Sequence, residues 1–169
     1  MRNLRGSMVG LPLVLLLLAP LPVSASTHYV IIADLRTSTG RLVWTLTATV
    51  DVLDSTLDLR IPQRLYDLVV STLGTDTFTT SFSIPLANGA LILSVNSVPP
   101  GLTVKLVPVP PGEVIVDGRV DILDAATLAY SYSRGPGDPG YSGMADFDLS
   151  GSVDILDAAV LAMNYGRSY

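Results

Sequence analysis

The sequence predicts two unlike parts in one chain: an all-β, sandwich-like domain with one short helix over residues 27–110, then a small all-α module of two loop–helix units over residues 112–169. Three observations predict it. Residues 27–110 alternate apolar and polar side chains with period two, as half-buried strands do. A fifteen-residue stretch near the C-terminus occurs twice, thirty-three residues apart, with eleven positions identical, and an internal repeat names an architecture before any single motif does. Between the two parts stands Pro108-Val109-Pro110-Pro111-Gly112, the composition of a stiff, short linker.

Taken in order, the chain opens with the basic Met1-Arg2-Asn3-Leu4-Arg5, an apolar run from Leu11 to Leu21, and the small residues Val23-Ser24-Ala25. This is the layout of a secretory signal peptide over residues 1–25. The mature protein is therefore expected to be secreted, extracellular or at the cell surface, with no stable membrane span, because the run falls short of the roughly 20 residues a span needs.

In residues 42–52 the even positions, including Leu42, Trp44 and Leu46, are apolar and the odd ones mostly Thr or Asp. Phe78, Thr80, Phe82 and Ile84 continue an alternating pattern, and residues 29–35, 57–61, 90–95 and 102–107 are further strand candidates. Thr37-Ser38-Thr39-Gly40 and Ala87-Asn88-Gly89 mark turns. One helix interrupts. Pro62 opens it, Leu65, Leu68, Val69 and Leu73 share a face, and Gly74 closes it.

The repeated stretch is Gly118-Arg119-Val120-Asp121-Ile122-Leu123-Asp124-Ala125-Ala126 and Gly151-Ser152-Val153-Asp154-Ile155-Leu156-Asp157-Ala158-Ala159. Ahead of the second copy stand Asp146, Asp148 and Ser150, so oxygen side chains fall at places one, three, five, nine (Asp154) and twelve (Asp157) of a twelve-residue loop. Glycine is sixth, and Ser152 offers its carbonyl at the seventh. That is the ligand order of an EF-hand-like calcium loop, since Ca2+ is a hard cation that takes about six to eight oxygens. Asp157 stands where an EF-hand has glutamate. Asp154 and Asp157 also have the spacing of a helix cap. The first copy is degenerate: Glu113, Asp117, Asp121 and Asp124 occupy ligand places and Arg119 the carbonyl place, but Ile115 removes one oxygen. Weaker binding is expected there.

Each loop leads into a helical pattern, Ala125, Leu128, Ala129 and Tyr132 in one and Ala158, Leu161, Ala162 and Tyr165 in the other. Nothing helical leads into them; Gly135-Pro136-Gly137-Asp138-Pro139-Gly140 precedes the second loop, and Pro110-Pro111-Gly112 the first. Two such units without lead-in helices resemble the type I dockerin module, a paired F-hand, over residues 112–167. The resemblance implies calcium at Asp146, Asp148, Ser150, Ser152, Asp154 and Asp157, and a cohesin-like partner that attaches the protein to a scaffold or cell surface, in the service of polysaccharide breakdown. Dockerins of this type often present a polar pair at places ten and eleven to the partner. Here those places hold Ile122-Leu123 and Ile155-Leu156, and one member of each pair is expected in the core.

Charge agrees with the division. Residues 27–111 carry six acids and five bases, residues 112–169 nine acids and three bases, and the excess calls for a cation. Without cysteine there are no disulfides, which leaves core and metal to provide stability. No catalytic constellation is expected: His28 is the sole histidine, and there is neither cysteine nor a Gly-x-Ser-x-Gly turn. An acidic chain without a basic patch argues against nucleic acid. A polysaccharide ligand would use exposed aromatics such as Tyr29 and Tyr66, whereas Trp44 shares an apolar strand face. The expectation is a secreted, non-catalytic protein tethered through its calcium module. The alternatives are a surface filament protein assembling through β edge strands and a small carbohydrate-binding protein.

Overall fold

The computed structural model describes residues 28–53, 55–86 and 89–169. The expected signal segment, residues 1–25, and the Ala87-Asn88 part of the second expected turn lie outside the described residues. The described chain is sheet-rich and mixed. Its strands are β1 (His28–Thr37), β2 (Leu42–Leu53), β3 (Thr56–Pro62), β4 (Thr77–Phe78), β5 (Ser81–Leu86), β6 (Gly89–Asn96) and β7 (Thr103–Val109). Its helices are α1 (Gln63–Leu73), α2 (Ile122–Ser131) and α3 (Ile155–Asn164), with a single 3-10 turn at Gly143–Ala145.

The strands neighbour one another in the order β4-β7-β3-β2-β1-β6-β5. All pairings are antiparallel except β3 with β7, which is parallel. β2 and β3 pair only at Val52↔Leu57 and Leu53↔Thr56. The order therefore divides into two sheets, β2-β1-β6-β5 and β4-β7-β3, hinged at the end of β2. Alternate side chains of both sheets enter one core: Ile31, Ala33 and Leu35 from β1, Leu57, Leu59 and Ile61 from β3, Val104 and Leu106 from β7. The period of two is the cause, since it puts every second residue on the same face. α1 adds Leu65 and Val69 to this core. Pro62 precedes it with φ −53°, and Gly74 ends it in the left-handed region at φ 69°, donating its N–H to the Val70 carbonyl at 2.9 Å.

The alternation from Phe78 to Ile84 is not one strand but two. β4 pairs with β7 and β5 with β6, so the chain changes sheets between them. The pattern runs on unbroken because Phe78 and Ile84 both face the shared core; periodicity reports the face, not the sheet.

A second core gathers Val109, Val114, Val120, Leu128, Met144, Phe147, Val153 and Leu161. The two loop–helix units pair reciprocally. Val153 donates its N–H to the Arg134 carbonyl (3.0 Å) and accepts from Ser133 (2.8 Å), while Val120 donates to Arg167 (2.9 Å) and accepts from Gly166 (2.8 Å). Each loop's eighth residue thus bonds the segment that follows the other helix, and both valines are wholly buried. Leu128 and Leu161 of the predicted stripes are buried, and Ala125 and Ala158 pack against this core, but the inward face is turned toward place twelve of each loop. Asp124, Leu128 and Ser131 face inward on α2, and Asp157, Leu161 and Asn164 on α3, while Tyr132 and Tyr165 are exposed. The carboxylate at place twelve must point into its loop, and that pins the rotation of the helix.

The segment expected to be a stiff, short linker is packed into both parts. Val109 pairs with Pro62 in the β3–β7 ladder and also belongs to the second core. At Gly112, φ 95°, a Cβ would lie 2.9 Å from Cβ of Asn164. Leu46 of β2 packs against both cores. Beyond their brief pairing β2 and β3 diverge, and Met144 lines the cleft between them beside Leu46, Ala48 and Arg60.

Candidate metal centre

The second loop begins directly after the 3-10 turn and ends in the first turn of α3. Asp154 caps that helix, accepting the Leu156 N–H at 2.7 Å, and Asp157 returns the bond by accepting the Asp154 N–H at 2.8 Å. Leu149 at φ 58° and Gly151 at φ 86° curl the loop between these ends. Glycine suits its place because the left-handed region costs it nothing sterically; Leu149 carries strain there.

The curl brings Asp146, Asp148 and Asp157 together, one carboxylate oxygen of each lying within 4.8 Å of the others. Asp146 and Asp157 are buried. Asp146 accepts the Ser150 N–H (3.1 Å) through Oδ1, and the Gly151 N–H (3.1 Å) and the Tyr141 hydroxyl (2.9 Å) through Oδ2. Asp157 Oδ1 accepts the Phe147 N–H at 2.7 Å. The Ser150 hydroxyl donates to the Ser152 carbonyl at 3.0 Å, so the oxygens of places five and seven are adjacent. Asp154 is engaged at the helix cap and stands outside the carboxylate group.

Burial and neighbouring charge raise the proton affinity of the two buried acids. Burial pushes the Asp146 carboxyl up to about 7; the Tyr141 hydroxyl pulls it down, and the charge of Asp157 pushes it further up. Asp157 is likewise raised by burial, against the amides of Asp154 and Phe147 that favour its charged form. Burial beside Asp146 raises the Tyr141 phenol and keeps it a donor. Tyr141 precedes the loop, outside the ligand spacing, so the motif gives no sign of it.

The donor set consists of oxygens alone: three carboxylates, a serine hydroxyl and a backbone carbonyl, with no nitrogen or sulfur ligand. It fits a hard divalent cation and not a soft one. This group of acids could hold a metal ion.

The first loop is arranged differently. Glu113 and Asp124 are buried and held by backbone amides, as Asp146 and Asp157 are in the second loop; what differs is the third acid. Asp124 accepts Val114 (2.7 Å), Ile115 (2.9 Å) and Asp121 (2.8 Å), and Glu113 accepts Gly118. Asp117 is exposed and turns onto the Arg119 N–H at 3.0 Å. Among the described residues Glu113, Asp117 and Asp124 do not gather as the second-loop acids do. Asp121 serves as the cap of α2.

Ile122, Leu123, Ile155 and Leu156 are 66%, 52%, 67% and 58% exposed. The expectation that one of each pair enters the core is corrected: Val120 and Val153, two and three places earlier, fill it instead. The result is a pair of apolar patches at the N-termini of α2 and α3. Trp44 is buried, and Tyr29 and Tyr66 pack against the first core.

No family model matches this chain, and no curated protein does. Among solved structures, a chain from an interface mutant of a type II cohesin–X–dockerin complex of Acetivibrio cellulolyticus aligns with 67% of this chain and 96% of its own. The identity is 15% and the TM-score 0.33, a likeness too slight to bear on fold or function. Among the described residues no helix is long and apolar enough to cross a membrane.

Proposed function

We propose that this is a secreted, non-catalytic protein whose sandwich-like β-domain is tethered by a dockerin-like module, loaded with Ca2+ in its second loop, to a cohesin-type partner. The observation that carries the reading is the convergence of Asp146, Asp148 and Asp157, two of them buried, in an oxygen-only site. A protein does not bury carboxylates together without a proton or a cation to offset them. Ca2+ is the ion that the loop's length, its glycine and its ligand order select. Asp146, Asp148, Ser150, Ser152 and Asp157 would hold it, and the bound charge would relieve the acidic excess of the module. The first loop, where Ile115 takes a ligand place and Asp117 stays apart, serves as a helix-starting frame.

The two exposed pairs, Ile122-Leu123 and Ile155-Leu156, form the partner face. Both lie on helices whose first turns begin at the loops, so calcium and partner binding depend on the same elements. The test is capture of a cohesin-type module by the full chain with calcium and with chelator. Capture that requires calcium, and is lost in Ile155→Lys/Leu156→Lys, supports the reading; capture indifferent to both refutes it.

A further inference from the structure

The second loop is held from outside as well as from within. Trp44, on β2 and wholly buried, donates its indole Nε1–H to the Gly143 carbonyl at 2.7 Å, across ninety-nine residues of chain. Gly143 begins the 3-10 turn that runs straight into Asp146. The fit leaves no room for a side chain there: a Cβ on Gly143 would lie 2.3 Å from the Thr45 carbonyl oxygen and 2.7 Å from the indole nitrogen. The far side of the loop also rests on the β-domain. Leu149 packs against the first core, and a Cβ on Gly151 would lie 3.1 Å from the Val43 carbonyl oxygen. β2 thus grips the segment before the first ligand and the turn at place six, and the first core takes place four.

We propose that Trp44 is a positioning residue for the second loop, so that cation uptake by the loop and docking of the module on the β-domain are coupled. This rests on the reading that the loop takes Ca2+. A loop that must hold buried carboxylates together without a cation is opposed by their repulsion. Fixing its lead-in segment from β2 lowers the ordering cost that the cation would otherwise meet. Coupling of this kind is reciprocal: whatever the β-domain adds to cation affinity, the cation adds to docking.

Trp44 is the chain's one tryptophan, so its emission reports the contact without a label. The experiment is a calcium titration of the full chain, followed in parallel by calorimetry and tryptophan emission, with Trp44→Phe and Leu93→Ala titrated by calorimetry. Phenylalanine retains an aromatic ring but leaves the Gly143 carbonyl without its donor. Leu93 is buried in β6, across Leu35 from Trp44 in the first core, so its truncation destabilises the β-domain while leaving the indole donor in place.

The expected result is an emission change with the same midpoint as the calorimetric site, an affinity about tenfold weaker in Trp44→Phe, and an unchanged affinity in Leu93→Ala. Calcium binding with steady emission, an unaltered Trp44→Phe, or an equal loss in Leu93→Ala would each overturn the positioning role while leaving the calcium site standing. Absence of calorimetric binding would remove the calcium reading itself.

Discussion

Without a cation, the module should become less stable as pH rises through neutrality, and Asp146 is the chief cause. Burial pushes its carboxyl up to about 7 in the folded chain, from an ordinary 3.8. A group whose folded value is raised contributes its stability fully below the unfolded value and loses it as pH climbs through the folded one. Here the window runs from about pH 4 to about pH 7. At about 1.36 kcal/mol for each pH unit, the loss is on the order of 4 kcal/mol, and the raised Asp157 adds in the same direction. Calcium reverses the trend, because it replaces the proton: its affinity should grow from pH 5 to pH 8 as Asp146 ionises. Thermal unfolding of the full chain, followed by helical circular dichroism with chelator present, should show a midpoint that falls between pH 5 and 8. With calcium present the midpoint should rise or hold. Asp146→Asn cannot ionise; it should flatten the chelated profile and lose most of the calcium effect. A chelated protein at least as stable at pH 8 as at pH 5 would refute the reasoning.

Three further outcomes are expected. Ile115 is 39% exposed, so Ile115→Asp should strengthen cation binding at the first loop without a core penalty, read as a second calorimetric site. Val153→Ala should cost about 2 kcal/mol in chelated unfolding experiments, since it empties a wholly buried position whose backbone also joins the two units. Gly151→Ala should cost about 1–2 kcal/mol through its φ of 86°, and it should also weaken the contact with Val43, detectable as a change in tryptophan emission.

Much of this was legible in the sequence because it rests on local rules. Strand faces follow from the period of two, and α1 from Pro62 and Gly74. Asp154 and Asp157 sit at the cap spacing, and the gathering of Asp146, Asp148 and Asp157 follows from their places in one curled loop. What was not legible depends on contacts between distant residues. Nothing local tells that the chain leaves one sheet for the other between Phe78 and Ser81, or that β3 and β7 run parallel. The helix stripes held at Ala125, Leu128, Ala158 and Leu161 but missed Asp124 and Asp157 and wrongly took in Tyr132 and Tyr165, because periodicity treats aspartate as outward whereas loop closure draws it in. The same rotation leaves Ile122, Leu123, Ile155 and Leu156 outside. Val109 and Gly112 read as linker because proline and glycine surround them, yet the packing of the second core takes both. Tyr141 and Trp44 act on the loop from outside its motif, one from a preceding turn and one from β2 through Gly143.

The central claim is that the second loop is a calcium site built from Asp146, Asp148 and Asp157, and calorimetric titration of the full chain with calcium tests it most directly. One dominant site is expected, abolished in Asp157→Asn and retained in Asp124→Asn. No heat of binding at millimolar calcium, or a site that survives Asp157→Asn and is lost in Asp124→Asn, would contradict it.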